Sequence, residues 1–287
     1  MQLLAPAKIN LSFEIKGRRA DGFHEIETLM APITLADRLT IERAGDDNEI
    51  RFSCDDPSLP GGDDNHVVRA AKLFRDRAKI ASGISLVLEK KIPHGAGLGG
   101  GSSDAANALL GLNELFGAGL SQDALMKLAA EVGSDVPFFI ARSPAVCRGR
   151  GEIVEPVEFK AKFRLLLLKP DFGVPTPWAY GRWKDSRELA GIDYSSQEFE
   201  GVRFVNDLER PVFEKFVFLA RLKMWLRQQP EVAVALMSGS GSTMFAILRN
   251  EAEPEEVVHR AHAQIDPKLW TCVTQLSSST SPPRIRD

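Results

Sequence analysis

Cysteine is scarce in this chain of 287 residues: Cys54, Cys147 and Cys272 lie far apart and show no C-x-x-C spacing. An odd, scattered set builds neither a disulfide framework nor a zinc site, and it suits a reducing cytoplasm. An excess of one charge is also missing. The 36 Lys and Arg nearly balance 39 Asp and Glu, leaving a net charge of −3, so no broad basic face is available for nucleic acid or an anionic membrane. No apolar run nears the ~18 residues of a membrane span, and Met1-Gln2-Leu3-Leu4-Ala5-Pro6 lacks the basic and apolar regions of a signal peptide. Histidine is rare as well. His259 and His262 stand three apart on a polar stretch with no third ligand in view, so no metal centre is expected. These absences predict a cytoplasmic, globular protein with no nucleic acid and no membrane among its partners.

Glycine is abundant and concentrated. Pro93-His94-Gly95-Ala96-Gly97-Leu98-Gly99-Gly100-Gly101-Ser102-Ser103-Asp104-Ala105-Ala106 ends in two serines and opens into an alanine-rich stretch continued by Asn107, Ala108, Leu109, Leu110 and Leu112. Glycines let the backbone close around an anion at positive φ, so that several N–H groups converge. A helix starting there adds its own free N–H groups and dipole. The string reads as a phosphate cradle. A flexible linker is the plain alternative, but Leu98 and the immediate helical continuation are not linker chemistry.

Other glycine signatures lack their context. Gly95 to Gly100 fits G-x-G-x-x-G, yet Lys90 to His94 separate it from the strand-like Ile84–Leu88, and Asp123 sits on a separate helical stretch. A Walker loop needs Lys where Ser102 stands, and neither H-R-D nor D-F-G occurs.

Elsewhere the periodicity is plain. Ile9, Leu11, Phe13 and Ile15 alternate with Asn10, Ser12 and Glu14, a half-buried strand with Lys8 and Asn10 on its polar face. Lysine there suits a phosphate or a carboxylate partner, or is simply a solvated charge. Asp21-Gly22 marks a turn into Phe23 and His24, which could stack on a base and bond its edge, or be a staple and a surface histidine. Leu39–Glu42 and Ile50–Cys54 read as strands. Asn65 caps a helix with Val67, Ala70, Ala71, Phe74 and Ala78 on one face; Ser121 caps another with Leu125, Leu128, Ala129 and Val132, stopped by Gly133. Asp135, between Gly133 and Pro137-Phe138-Phe139, is held where it could orient a hydroxyl or merely cap the next segment. The polar stretch Arg150–Lys160 marks a boundary. After it, strands at Phe163–Leu168, Val232–Met237, Met244–Leu248 and Trp270–Thr274 alternate with helices at Val212–Leu226 and Glu255–Gln264, a ferredoxin-like β-α-β-β-α-β order. The insertion from Asp171 to Val205 is longer than idle loops are. Gly239-Ser240-Gly241 reads as a tight turn between two strands.

Pro6-Ala7-Lys8-Ile9-Asn10-Leu11, the glycine cradle, and Met237-Ser238-Gly239-Ser240-Gly241-Ser242-Thr243 together resemble the three motifs of the GHMP kinases. Asp21-Gly22-Phe23-His24 and Gly133-Ser134-Asp135-Val136-Pro137-Phe138 resemble the branch whose substrate is a cytidine diphosphate-linked methylerythritol of isoprenoid synthesis. The resemblance implies an α+β, two-domain architecture: an N-terminal ribosomal-protein-S5-like α/β domain over residues 1–155 and a C-terminal ferredoxin-like domain over 156–276; the Ser- and Pro-rich composition of 277–287 predicts a disordered tail. The resemblance also implies ATP and magnesium, though no acidic metal ligand stands out; Ser102 or Ser103 would help hold metal or phosphates. Lys8 would pair with Asp135, keep it ionised and stabilise the transferring group. Asn65, Lys90 and the cradle from Pro93 to Ser103, His94 included, would hold the nucleotide. Asn10, Phe23, His24, Thr176, Tyr180, Gly239 and Gly241 would hold the acceptor, with Tyr180 stacked on cytosine opposite Phe23. A homoserine or mevalonate type of kinase, or a nucleotide-binding module without chemistry, would share the cradle. Function as a monomer or weak homodimer is expected.

Overall fold

The computed structural model describes residues 1–45 and 47–277. The expected tail lies outside them except for Ser277, whose N–H donates to the Pro32 carbonyl at 2.8 Å. Two sheets share the chain. The first is founded on a long hairpin, β1 (Gln2–Arg18) and β2 (His24–Arg43). To it the chain adds β3 (Ile50–Cys54), α1 (His66–Ala78), β4 (Ile84–Glu89), α2 (Gly100–Leu115), α3 (Gln122–Val132), α4 (Val136–Ala141), β5 (Ala145–Gly149) and β6 (Ile153–Pro156). The helices cover one face of this sheet through a core that includes Phe74, Leu86, Leu109, Leu112 and Phe138.

The regular alternation expected along β1 is broken. The register shifts between Asn10 and Ser12, leaving Leu11 as an extra residue opposite β2. A bulge inverts the alternation beyond it. Ile9 and Leu11 therefore enter the core between the two sheets, whereas Phe13 and Ile15 enter a different core. Phe13 thereby joins Lys8 and Asn10 in lining one cavity.

The second half supplies β7 (Arg164–Lys169), α5 (Thr176–Arg182), β8 (Gln197–Phe199), β9 (Val202–Asn206), α6 (Glu209–Lys215), α7 (Val217–Arg227), β10 (Val232–Met237), β11 (Met244–Leu248), α8 (Pro254–Gln264) and β12 (Trp270–Gln275). The second sheet has the order β10-β11-β7-β12, the ferredoxin-like arrangement. Two features depart from the periodicity. The single helix expected over Val212–Leu226 is broken at Phe216 (φ −104°, ψ 65°). The break turns that ring onto Phe172, 5.4 Å between centroids, and against the edge of Trp178 at 5.6 Å. The insertion does not stay with the second sheet: β9 pairs in parallel with β1, Ser12 opposite Val205 and Phe13 opposite Asn206, and β8 pairs with β9.

That return gives the edge strand β10 an unusual neighbour. Its outward backbone groups are sealed by side chains from the first-sheet side. Gln197 takes both the N–H (3.1 Å) and the carbonyl (2.8 Å) of Ala235; Glu209 accepts from Met237 N–H at 2.9 Å, and Asn206 donates to the Met237 carbonyl at 2.7 Å. Side-chain amides and a carboxylate thus take the place of another strand. Among the described residues no helix is long and apolar enough to cross a membrane.

The turn between β10 and β11 interlocks with the glycine cradle. Ser238 Oγ donates to the Gly97 carbonyl at 3.0 Å and Thr243 N–H to that of Ala96 at 3.2 Å. A Cβ on Gly97, which has φ +74°, would lie 2.2 Å from the Ser238 carbonyl oxygen and 2.9 Å from that of Gly241. Gly95 has φ +62° but open space around it. Gly95→Ala should therefore cost only the ~1–2 kcal/mol of a left-handed alanine. Gly97→Ala must also separate two backbone turns, and its thermal midpoint should fall well below that of Gly95→Ala; equal midpoints would show that the turns are not rigidly interlocked.

Candidate active site

A cavity of about 410 Å³ opens where the cradle, β1, the start of α2 and the Gly239 turn meet. Its floor is backbone. Gly99 is the N-cap of α2 at φ +70° and the helix has no side-chain cap. The first helical bond joins Ser103 N–H to the Gly99 carbonyl at 2.9 Å. The amides of Gly100, Gly101 and Ser102 thus come from the uncapped first turn, whose dipole and free N–H groups favour an anion. Lys8 N–H bonds the Leu98 carbonyl at 2.9 Å and fastens the cradle to β1.

Lys8 is 3% exposed. Burial lowers the pKa of its ammonium, while the charge of Asp135 draws it back up. Its Nζ donates to Asn10 Oδ1 at 2.6 Å and lies 3.8 Å from Asp135 Oδ2. Asn10 Nδ2 donates to Thr28 Oγ1 at 2.8 Å, and Thr28 donates in turn to the Ser12 carbonyl at 2.6 Å. This chain fixes which way the Asn10 amide faces, so its oxygen meets the ammonium. Asp135 occupies the N-cap position of α4 but makes no side-chain capping bond. Its carboxylate, 39% exposed, faces the cavity instead. Behind the pair lies Cys147, whose thiol is pushed up to about 12 by burial and by the Asp135 charge; it stays an inert thiol.

The remaining expected residues fall in two groups. Asn65, Lys90, Pro93, His94, Gly95, Ala96, Gly97, Leu98, Gly99, Gly100, Gly101 and Ser102 line the cavity, as do Asn10, Thr176, Tyr180 and Gly239. Asn65 also caps α1, accepting from Val67 N–H and donating to the Pro60 carbonyl, each at 2.8 Å. Lys90 does not extend a free ammonium: it is paired with Asp37 and Asp104. Ser103, Phe23, His24 and Gly241 are not among the described lining residues. The Ser103 side chain is turned into the core beneath the cradle. Phe23 is 52% exposed under the Arg150 guanidinium, 4.8 Å from its ring centroid. His24 stacks on Tyr180 at 5.3 Å, so the aromatic partner of Tyr180 in this structure is His24, with Phe13 edge-on at 6.2 Å. Burial and the Asp135 charge both raise the Tyr180 phenol, which stays neutral. His262 Nε2 lies 3.0 Å from the Leu269 carbonyl, and among the described residues no group of three or more His, Cys, Asp and Glu is placed to hold a metal.

Periodicity gave no hint of Asp37. It lies on β2, is fully buried, and its Oδ1 accepts from the N–H groups of Lys91 (2.5 Å) and Ile92 (2.8 Å). Asp37 pins the approach to the cradle, and Lys90 bridges it to Asp104 on α2. Burial drives the Asp104 carboxyl up to about 8, against the pull of Lys90 and with a push from Asp37.

Two outcomes follow. A carboxyl whose folded pKa exceeds its unfolded one binds more protons when folded, so stability is lost as pH rises from the ordinary aspartate range through about 8. Thermal midpoints measured from pH 6 to 9 should decline more steeply for the wild type than for Asp104→Asn; parallel declines would refute this reading of Asp104. Lys8→Met removes a buried ammonium whose pKa is lowered by folding, a penalty present in full below that pKa. The variant should lose at least ~10²-fold in activity while its thermal midpoint does not fall.

The profile described as GHMP kinases N terminal domain matches residues 65–143, and that described as GHMP kinases C terminal matches 181–266. The chain is 42% identical over 270 residues to a 4-diphosphocytidyl-2-C-methyl-D-erythritol kinase of Methylacidiphilum infernorum, covering 93% of each chain. It is also 42% identical over 248 residues to one from Syntrophotalea carbinolica, covering 85% of this chain and 88% of the other. A crystal structure of 4-(cytidine 5'-diphospho)-2C-methyl-D-erythritol kinase superimposes with a TM-score of 0.79 at 35% identity, over 97% of this chain and all of that one. A homoserine kinase from Cytophaga hutchinsonii shares the fold, with a TM-score of 0.70 at 17% identity over 98% and 95% of the chains.

Proposed function

The chain belongs to the GHMP kinase family and works as a 4-diphosphocytidyl-2-C-methyl-D-erythritol kinase, and on that premise we propose that Lys8 and Asp135 carry the phosphoryl transfer inside the glycine-floored cavity. The reaction is ATP-dependent phosphorylation of the acceptor's 2-hydroxyl, a step of non-mevalonate isoprenoid biosynthesis. One observation carries the assignment of roles: a buried lysine and a half-open carboxylate, 3.8 Å apart, face the uncapped end of α2 across one cavity.

Phosphoryl transfer demands little covalent chemistry of a protein; it demands alignment and neutralised charge. Asp135 orients the acceptor hydroxyl and takes its proton late in the transfer. Lys8, held by Asn10, offsets charge on the migrating group and on the deprotonating oxygen. The amides of Gly100, Gly101 and Ser102 bind the phosphates. Asn65, His66 and Leu88 line the same cavity, and together with Pro93 they suit the nucleoside end. Tyr180, braced by His24, presents a ring that a cytosine can stack on, and Phe23 with Arg150 stands as a second aromatic element.

Magnesium neutralises the triphosphate when bound. It is usually held by phosphates, water and one or two protein oxygens, and the residues present fit that sparse mode. Ser102 lines the cavity and its hydroxyl is the protein ligand we assign; Asp104 is less suited, since one of its oxygens is taken by Lys90. Action as a monomer or weak homodimer in the cytoplasm completes this reading.

Coupled ADP release tests both activity and roles. Release is expected with ATP, magnesium and the cytidyl compound, and not with homoserine or mevalonate; preference for either of these would discard the aromatic cytosine site. Asp135→Asn should lower turnover ~10²–10⁴-fold, the range of a positioned acid or base, and wild-type turnover by the folded variant would remove Asp135 from its role.

A further inference from the structure

Asn206 ends β9, on the first sheet, yet its side chain reaches the turn that follows β10 on the second. It is 5% exposed. Its Nδ2 donates to two carbonyls, Met237 at 2.7 Å and Gly239 at 2.8 Å, and its Oδ1 accepts from Leu208 N–H at 2.9 Å. Both amide hydrogens are therefore used, and the Leu208 bond settles which end of the amide is which. Three residues on, Glu209 holds Met237 N–H at 2.9 Å and is itself paired with the buried Lys223 at 2.5 Å. The corner between β9 and α6 thus grips the β10 end from both of its backbone polarities.

The grip on Gly239 bears directly on the cavity. Gly239 is held at φ +55°, and a Cβ placed on it would sit 3.3 Å from both Lys8 Nζ and Asn10 Oδ1. In a planar trans peptide the carbonyl and the following N–H point in opposite directions. With the Gly239 carbonyl drawn to Asn206, the Ser240 N–H points away from Asn206. Ser240 lines the cavity, its hydroxyl is shared with Thr176 at 2.8 Å, and among the described residues its backbone N–H has no protein acceptor.

We propose that Asn206 is a positioning residue of the transfer reaction, one that locks the Gly239–Ser240 peptide so that the Ser240 N–H serves an anionic oxygen beside Lys8. The proposal rests on the kinase reading above and deepens it. Should Asn206 lose its donors, the Gly239 carbonyl is left buried without a partner. The peptide then gains by rotating, and rotation would present a carbonyl oxygen to the phosphoryl oxygens in place of an N–H.

Asn206→Asp separates this role from a merely structural one. The variant keeps the volume and the acceptor for Leu208 but loses both donors. Turnover should fall ~10²-fold, as for other lost oxyanion donors, with affinity for a non-hydrolysable ATP analogue, measured by calorimetry, changed less than ~3-fold. The activity ratio of variant to wild type should rise as pH falls, because a protonated carboxyl donates again. A ratio flat in pH, or turnover near wild type, overturns the proposal. A second measurement needs no variant. In the ¹⁵N-labelled wild type, the Ser240 amide proton should move downfield when the ATP analogue and the cytidyl compound are bound together; an unmoved resonance overturns the proposal even if Asn206→Asp fails to fold. Wild-type ADP release, run in parallel, reports on the kinase reading separately.

Discussion

A lysine held almost out of water on a central strand sets the terms for everything around it. Lys8 cannot keep its charge there without partners, since an unpaired ammonium in such a place would neutralise or unfold its surroundings. Asn10 and Asp135 supply those partners, and Thr28 keeps Asn10 facing the right way. Close approach imposes the rest. A Cβ on Gly99 would lie 3.0 Å from Lys8 Cγ and 2.9 Å from the Phe139 ring, so the cap of α2 has to be glycine for the cradle to reach the ammonium. Dryness, charge and small residues at this spot are one requirement seen three ways: an oxygen-rich group must be met by fixed dipoles and not by water.

The same logic recurs away from the reacting centre. Lys90 with Asp37 and Asp104, and Lys223 with Glu209, are buried ionic groups that touch backbone amides at places where loops must not drift. Buried ion pairs are poor sources of net stability, and their documented use is to specify one arrangement. Here one set fixes the entry to the cradle on the first sheet and the other fixes the exit of β10 on the second. The two glycine turns between them meet with their backbones in contact.

Much of this was readable from residue order, and the exceptions have common causes. Helix caps at Asn65 and Ser121 and the strands Val232–Met237 and Met244–Leu248 rest on local chemistry that neighbours in sequence declare, whereas the convergence of the glycine stretches with Lys8 and Asp135 was implied by the family resemblance alone. The bulge at Leu11, the break at Phe216 and the pairing of β9 with β1 depend on partners far along the chain, and hydrophobic period cannot report them. Asp37 and Asn206 were invisible for a further reason: an aspartate in a strand and an asparagine before Asp207 and Leu208 look like turn residues. Only the tertiary contacts reveal which backbone groups they satisfy. In the aromatic cluster the participants were recognisable but their pairing was not, since the stacking of His24 on Tyr180 depends on how α5 lands beside the hairpin.

The side-chain seam along β10 bears on modularity. Gln197, Asn206 and Glu209 belong to a stretch that leaves the second sheet, completes the first, and comes back. A chain severed near residue 156 would give an amino-terminal piece without its last two strands and a carboxyl-terminal piece whose β8 and β9 have lost β1, the strand that holds them in place. The lobes are therefore not interchangeable cassettes. Recombination between relatives at that point would join halves whose seams had never been matched, so the acceptor-binding part of such an enzyme has to diversify by point substitution within an intact pair of lobes.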